Sequence, residues 1–452
     1  MHGPHRRFRK GLDLHLHTDT FTAEASAGLP GPAWLRERRA GAYEAVATCA
    51  LPSESEEVWR YTPINSLVLD DFVPPAHDGP APAGDQLLAA LTTALGTVAG
   101  SVLVHNGRAS TFNVSGADGA GATGLAFGGA DDVPGSSAML GSVQEGGDAL
   151  VRLNDAFAPD PVFVDVRDGT RVGAPVLIVH WCDATSAFPR TSVRAGEGSA
   201  VSVVEVFAGP GAGDGPRSLV VPVTELAAGD GASLSYVSLQ ILDGAAWSIA
   251  RLAGRGAANS SLRTFTVGLG ASYDRVRADV AVEGKDARSE ILSAYLGHGN
   301  QVHDIRTLQD HVAPRTTSEL LCQGAVAGTS RSVYSGLIRV HRGAVRSDAR
   351  QTNHNLVLDE GAHADSVPNL DILENDVRCS HASTVGPVDE DQRYYIESRG
   401  VAPDMAESLI VRGFFDAIID RSPVPEVIPF LQREVHERLD VALGGRALPA
   451  GV

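Results

Sequence analysis

Lysine is nearly missing from this chain. Lys10 and Lys285 are the two lysines among 37 basic residues, which we read as a coding bias of the source genome rather than as chemistry. Cysteine is scarce too: Cys49, Cys182, Cys322 and Cys379 stand far apart, and no CxxC pair occurs. That argues against a structural zinc site and against a disulfide framework. Neither a GxSxG elbow nor a Gly-Lys-Ser/Thr phosphate loop is present, so an α/β-hydrolase and an ATPase are not expected, and any nucleotide hydrolysis belongs to a partner. No run of about 18 apolar residues occurs, so no membrane span is expected. Arg6, Arg7, Arg9 and Lys10 are followed by Leu12-Asp13-Leu14-His15 and not by an apolar run, which makes a cytoplasmic, reduced protein the expectation. Basic residues are outnumbered by 55 acidic ones, for a net charge of −18. Nucleic acid and anionic membrane need a basic footprint, so both are excluded as main partners.

What the chain does have is length and turns. At 452 residues it exceeds what one core usually fills, so two or three domains are expected. Its 49 Gly and 25 Pro imply many turns, and hence many short strands. Residues 1–28 read as a mobile polar tail with His2, His5, His15 and His17. Asp13-Leu14-His15-Leu16-His17-Thr18-Asp19 matches the opening of a metal phosphoesterase, but no βα repeat follows to supply the remaining ligands.

Residues 29–100 read as a helical region, with helices at Pro32–Ala50 and Gln86–Val98. Between them Trp59 and Tyr61 are expected to pack the block Glu56–Pro63 onto the body, and Cys49 reads as a small buried hydrophobe. Residues 101–385 are a succession of short strand-like runs, such as Val162–Val166, Val176–His180 and Val201–Val206, with the Gly209–Gly215 stretch as a turn between strands. Helix-length periodicity is missing there, which suits a β-sandwich or a β-solenoid about equally. Asn353 and Asn355, alternating before Leu356, could stack as a ladder in a solenoid. Residues 386–452 turn helical again. Ala402–Ile419 carries Met405, Leu409, Phe414, Phe415 and Ile418 as one apolar stripe, and Val427–Leu443 carries Ile428, Leu431, Val435 and Leu439. Such a pair can cap a solenoid edge or offer a groove to a partner.

Among candidate chemical groups, Cys379 and His381 are the most suggestive. In an extended segment they emerge on one face, as a soft two-point site for iron or a sulfur species. The plain alternative is a buried thiol beside a surface imidazole. Two ligands cannot complete a four-coordinate site, so a second protein surface, or other residues folded nearby, would have to contribute, and the chemistry points to an interface. His303, Asp304 and His311 read as structural hydrogen bonding, and Cys322 as a core thiol. Asp348, Asp359 and Asp365 would be the carboxylates of a rival reading, an independent β-helix carbohydrate-active enzyme.

The segment Val377–Gly400, VRCSHASTVGPVDEDQRYYIESRG, resembles the C-terminal signature of the SufB/SufD family of iron–sulfur cluster assembly proteins. Its Cys-Ser-His form resembles the SufD branch. Further strings agree: His311-Val312-Ala313-Pro314 with Ser318, Tyr334-Ser335-Gly336, Asp348 with Gln351, Asn355-Leu356, Pro368-Asn369-Leu370 and Ser398-Arg399-Gly400. Ala382 and Arg393 depart from the family pattern without replacing the thiol or the imidazole. The resemblance implies a mainly β chain, a right-handed parallel β-helix flanked by N-terminal and C-terminal helical regions. It implies a scaffold subunit, not an enzyme, that pairs with SufB through the β-helix and with the ATPase SufC through the C-terminal helices, or with itself in isolation. It further implies that His381, with Cys379, contributes to a nascent iron–sulfur cluster held transiently and shared with SufB.

Overall fold

A computed structural model describes residues 18–75, 79–114, 124–144, 146–210 and 217–444. His2, His5, His15 and His17 lie outside the described residues, as does most of the Gly209–Gly215 turn. Among the described residues the strands form two 11-stranded sheets, and from Ser233 onward successive strands alternate between them. Ser233–Ile241, Ser261–Gly268, Arg288–Gly297, Thr317–Val326, Asp348–Val357 and Arg378–Gly386 stack in parallel in one sheet. Ala246–Gly256, Tyr273–Val282, Val302–His311, Arg331–Val340 and His363–Ile372 stack in the other. The chain therefore winds as a parallel β-solenoid of about 30 residues a turn. The choice between sandwich and solenoid is settled in favour of the solenoid.

The continuous apolar runs follow from burial on both faces. Val176 and Ile178 point into the solenoid, where they meet Val203, Leu234 and Leu262. Leu177 and Val179, one residue out of phase, join an outer core with the terminal helices. One corner of the solenoid repeats a left-handed turn residue at Asn259, Asp286, Arg315 and Arg346, with φ of 57°, 63°, 60° and 61°. Each donates its N–H to a carbonyl of the following turn, as Asn259 does to Lys285 at 2.9 Å and Arg315 to Val345 at 2.8 Å. Interior register thus carries from rung to rung.

Helices cover the outer faces. Pro403–Ile419 starts on a Pro in its first turn, and Ile428–Ala442 follows it. Phe415, Ile418, Leu431, Val435 and Leu439 are fully buried against Leu292, Val237 and Phe265 of the first sheet. Each such side chain contributes about 1.5–3 kcal/mol. Arg421 fixes the docking with ion pairs to Glu290 at 2.7 Å and Glu319 at 2.8 Å, on successive rungs. The expected stripe of the first helix is split: Phe415 and Ile418 are buried, whereas Leu409 is 38% exposed and Phe414 is only half-buried. No described helix is long and apolar enough to cross a membrane.

The N-terminal segment packs on the second sheet. Helix Ala23–Ala27 and the ring of Phe21 belong to this contact, with Phe157, Phe188 and Trp247. Helix Ala33–Ala47 stops short of Cys49, which is half-buried, and the third helix runs Pro82–Leu95. Trp59 is buried as expected, but Tyr61 is 54% exposed with φ of 70°. The left-handed turn directs its ring to solvent, and the neighbouring carbonyls take over its anchoring role: Val58 accepts from Arg275 at 2.7 Å and Arg60 from Arg306 at 2.8 Å.

Candidate functional site

The strand Arg378–Gly386 is the last rung, and its outer edge has no neighbouring strand among the described residues. Its partner Asp348–Val357 sets Cys379 beside Ala349, His381 beside Gln351 and Ser383 beside Asn353. Cys379 packs against an interior cluster with Ile338, Val340 and Ala349, so it faces inward. His381 and Ser383, at steps of two, share that face. No further rung among the described residues covers them. Leu370 and Val385 show the same uncovering: their rung neighbours Ile338 and Asn355 are buried, yet they are 42% and 43% exposed. An apolar pair left open at the end of a solenoid marks an interaction surface.

The two candidate ligands differ. Cys379 is half-buried, and burial followed by the charge of Asp348 pushes its thiol above the usual range. That disfavours the thiolate, the form that binds metal. His381 is exposed and makes no hydrogen bond to a described residue, so a ring nitrogen is open to a facing surface. Among the described residues no group of three or more His, Cys, Asp or Glu is placed to hold a metal ion. A metal or cluster bound here needs ligands beyond these described groups.

Beneath the open end lies a polar seam that the sequence reading missed. Ser383 donates to Ser366 at 2.7 Å, Ser366 to Asn353 at 2.9 Å, and Asn355 to Asn353 at 2.7 Å, while Tyr295 donates to Asn355. The two asparagines bond within one strand and not as a ladder between rungs. Deeper in the solenoid Glu205, 1% exposed, accepts from Thr191 at 2.5 Å, Tyr236 at 2.6 Å and Thr224 at 3.0 Å, and pairs with His180 at 2.7 Å. A single polar residue in an apolar strand has the signature of an outward side chain, so only its alternation in phase with Val201 and Val203 could have revealed it.

His303, Asp304 and His311 are all buried, but on opposite faces. Asp304 points outward to Arg275 and Arg306. His303 points inward, stacked on Tyr295 at 5.5 Å. His311 joins Thr316 Oγ1 and Ser318 Oγ, each at 2.7 Å, and burial pushes its imidazole down to about 4. The unfolded imidazole titrates near ~6.5. The neutral folded ring therefore contributes stability above that pH, and the contribution is lost as pH falls from about 6.5 through about 4. His311→Gln should remove it. In urea melts, the loss of unfolding free energy between neutral pH and the acid end of that window should shrink by roughly 3 kcal/mol. An unchanged pH slope would disprove this account.

Cys322 is a core thiol, pushed up to about 12 by burial. The carboxylates of the enzyme reading are engaged separately: Asp348 with Arg350 at 3.3 Å, Asp359 with the N–H of Gly328 at 2.6 Å, and Asp365 with His363 at 3.1 Å. Asp348 and Asp365 lie on different sheets.

A second feature adjoins the last rung. Helix Glu390–Glu397, capped by the Asp389 carboxylate accepting from Gln392 N at 3.0 Å, buries none of its residues, and Tyr394 and Tyr395 are 74% and 60% exposed. Between it and Pro403–Ile419 runs a groove of about 910 Å³ lined by Leu356, Val388, Ile396, Leu409 and Phe414.

Comparison with known proteins places this geometry. The model of the SUF system FeS cluster assembly SufBD core domain matches residues 179–414. Iron–sulfur cluster assembly SufBD family proteins of Mycobacterium leprae and Mycobacterium tuberculosis are 37% identical over 188 residues, 40% of this chain and 48% and 47% of theirs. The chain thus spans about half the length of these mycobacterial relatives. The iron–sulfur cluster assembly protein SufD of Escherichia coli is 25% identical over 407 residues, 89% of this chain and 90% of its own. SufD of Bacillus subtilis is 26% identical over 294 residues, 63% of this chain and 67% of its own. A solenoid ending on an open Cys-Ser-His strand and a core match over more than half its length make this chain a member of the SufB/SufD family of iron–sulfur cluster assembly proteins, in its SufD branch.

Proposed function

We propose that this chain is a cytoplasmic scaffold subunit that pairs with SufB through the open end of its solenoid and with the SufC ATPase through its C-terminal helices. The nascent iron–sulfur cluster is the cargo of this complex, held transiently and shared with SufB. The observation that carries the reading is the last rung: a strand edge unpaired among the described residues, exposed inward-facing Leu370 and Val385, and the exposed His381 on the same strand as Val385. His381 is the principal ligand in this scheme. Its exposed imidazole offers a nitrogen lone pair to iron, while the Cys379 thiol is drawn into the apolar cluster below it. The groove beside Glu390–Glu397, with Tyr394 and Tyr395 at its rim, is the surface offered to SufC. The chain itself performs no catalysis, and ATP hydrolysis is supplied by the partner.

The test is anaerobic co-purification with SufB and SufC from the same genome, with iron and acid-labile sulfide measured. The wild-type complex should carry both. His381→Ala should lower cluster content by roughly 10–100-fold without dissolving the complex, and Cys379→Ala should have a smaller effect. Unchanged cluster content in the Cys379→Ala, His381→Ala double variant would leave a scaffold without a ligand of its own.

A further inference from the structure

We propose that Gln351 is a positioning residue for His381, its amide oxygen accepting the imidazole N–H directed down the column. The inference rests on the reading of His381 as the exposed ligand of the last rung. Gln351 is the in-register neighbour of His381 on the adjoining strand, about 4.8 Å below it. Both side chains stand on the inward face. The amide is 2% exposed, and neither Nε2 nor Oε1 has a hydrogen-bond partner. A buried amide in that condition is rare, because its desolvation goes uncompensated.

The other neighbours of Gln351 leave its amide oxygen without a donor. Across the interior stands Gly336, where an added Cβ would meet both the amide nitrogen, at 2.5 Å, and the Tyr334 hydroxyl, so that hydroxyl lies on the nitrogen side of the amide. Leu320, the in-register residue one rung deeper, is apolar. The ring of His381 is the remaining polar group of that column. One column over, interior polar side chains on neighbouring rungs reach each other, as Thr266 does Ser293 at 3.1 Å. Accepting the ring N–H fixes one tautomer. The lone pair of the other nitrogen is then held toward the open end, where a facing ligand set must meet it.

Ring-nitrogen resonances of ¹⁵N-histidine in the full-length chain test this without any metal. At mildly alkaline pH the His381 pair, assigned by its disappearance in His381→Ala, should be widely split, as one tautomer requires. In Gln351→Leu the two should converge toward the average of free histidine. Gln351→Met, of similar length, serves if the leucine variant fails to fold. A splitting that survives both substitutions, or one already averaged in the wild type, overturns the proposal. The two readings fail separately: a tautomer that responds to Gln351, together with cluster content that ignores His381→Ala, supports the positioning contact and removes the ligand role.

Discussion

Truncating Phe415 to alanine is expected to lower the unfolding free energy by about 3–5 kcal/mol, the usual cost of emptying an aromatic site in a packed core. Phe415 is fully buried, and its ring belongs to the layer that joins helix Pro403–Ile419 to the first sheet, with Leu292, Ile418 and Leu431. Its neighbour Phe414 is half-buried and lines the groove instead. Phe414→Ala should cost about 1 kcal/mol or less, since little apolar surface returns to water. Urea melts of both variants distinguish the roles. Equal destabilisation would mean that the helix is not seated as described. If the groove receives SufC, Phe414→Ala should weaken that association while leaving the melt nearly unchanged.

Asp304→Ala should be comparably damaging, at about 3–5 kcal/mol. Asp304 is fully buried and receives Arg275, Arg306 at 2.5 Å and the hydroxyl of Tyr273 at 3.2 Å. Arg275 is itself buried, with its guanidinium 3.7 Å from the ring centroid of Trp59. Removing the carboxylate strands that cation between an aromatic face and the Val58 carbonyl. The penalty comes from the unpaired charge and not from the net worth of the pair. The double variant Asp304→Ala, Arg275→Leu should therefore recover much of the loss. A double variant as unstable as the sum of the single ones would refute this assignment of the energy.

The terminal helices were legible in the sequence because their apolar residues recur with helical spacing and prolines bracket them. The face each residue takes was less so. Leu409 and Phe414 sit on the same broad stripe as Phe415, and periodicity cannot tell a residue packed on a sheet from one lining a groove beside it. The solenoid was ambiguous for a related reason. Val176–Val179 supplies two different cores by alternation, so its run carries no period to read. The family resemblance decided between sandwich and solenoid where periodicity did not. Cys379 and His381 were visible as a pair, but their inequality was not. It depends on Ile338 and Val340, distant in sequence, closing over the thiol while no described residue closes over the ring. Tyr61 was misread because its left-handed backbone conformation leaves no mark in residue type.

The last strand is stitched along one side only, and it continues through Pro387 directly into the helical region. Mechanically it is the free leaf of a stack whose other leaves are sewn on both sides. A displacement entering at Gly386 acts first on its pairing with Leu356, and reaches His381 only after the intervening four residues have lifted. The rungs below, held by strands above and beneath, stay in place. A pull from the helices would therefore peel one strand by degrees, and would reach the imidazole before it reached the body that carries it.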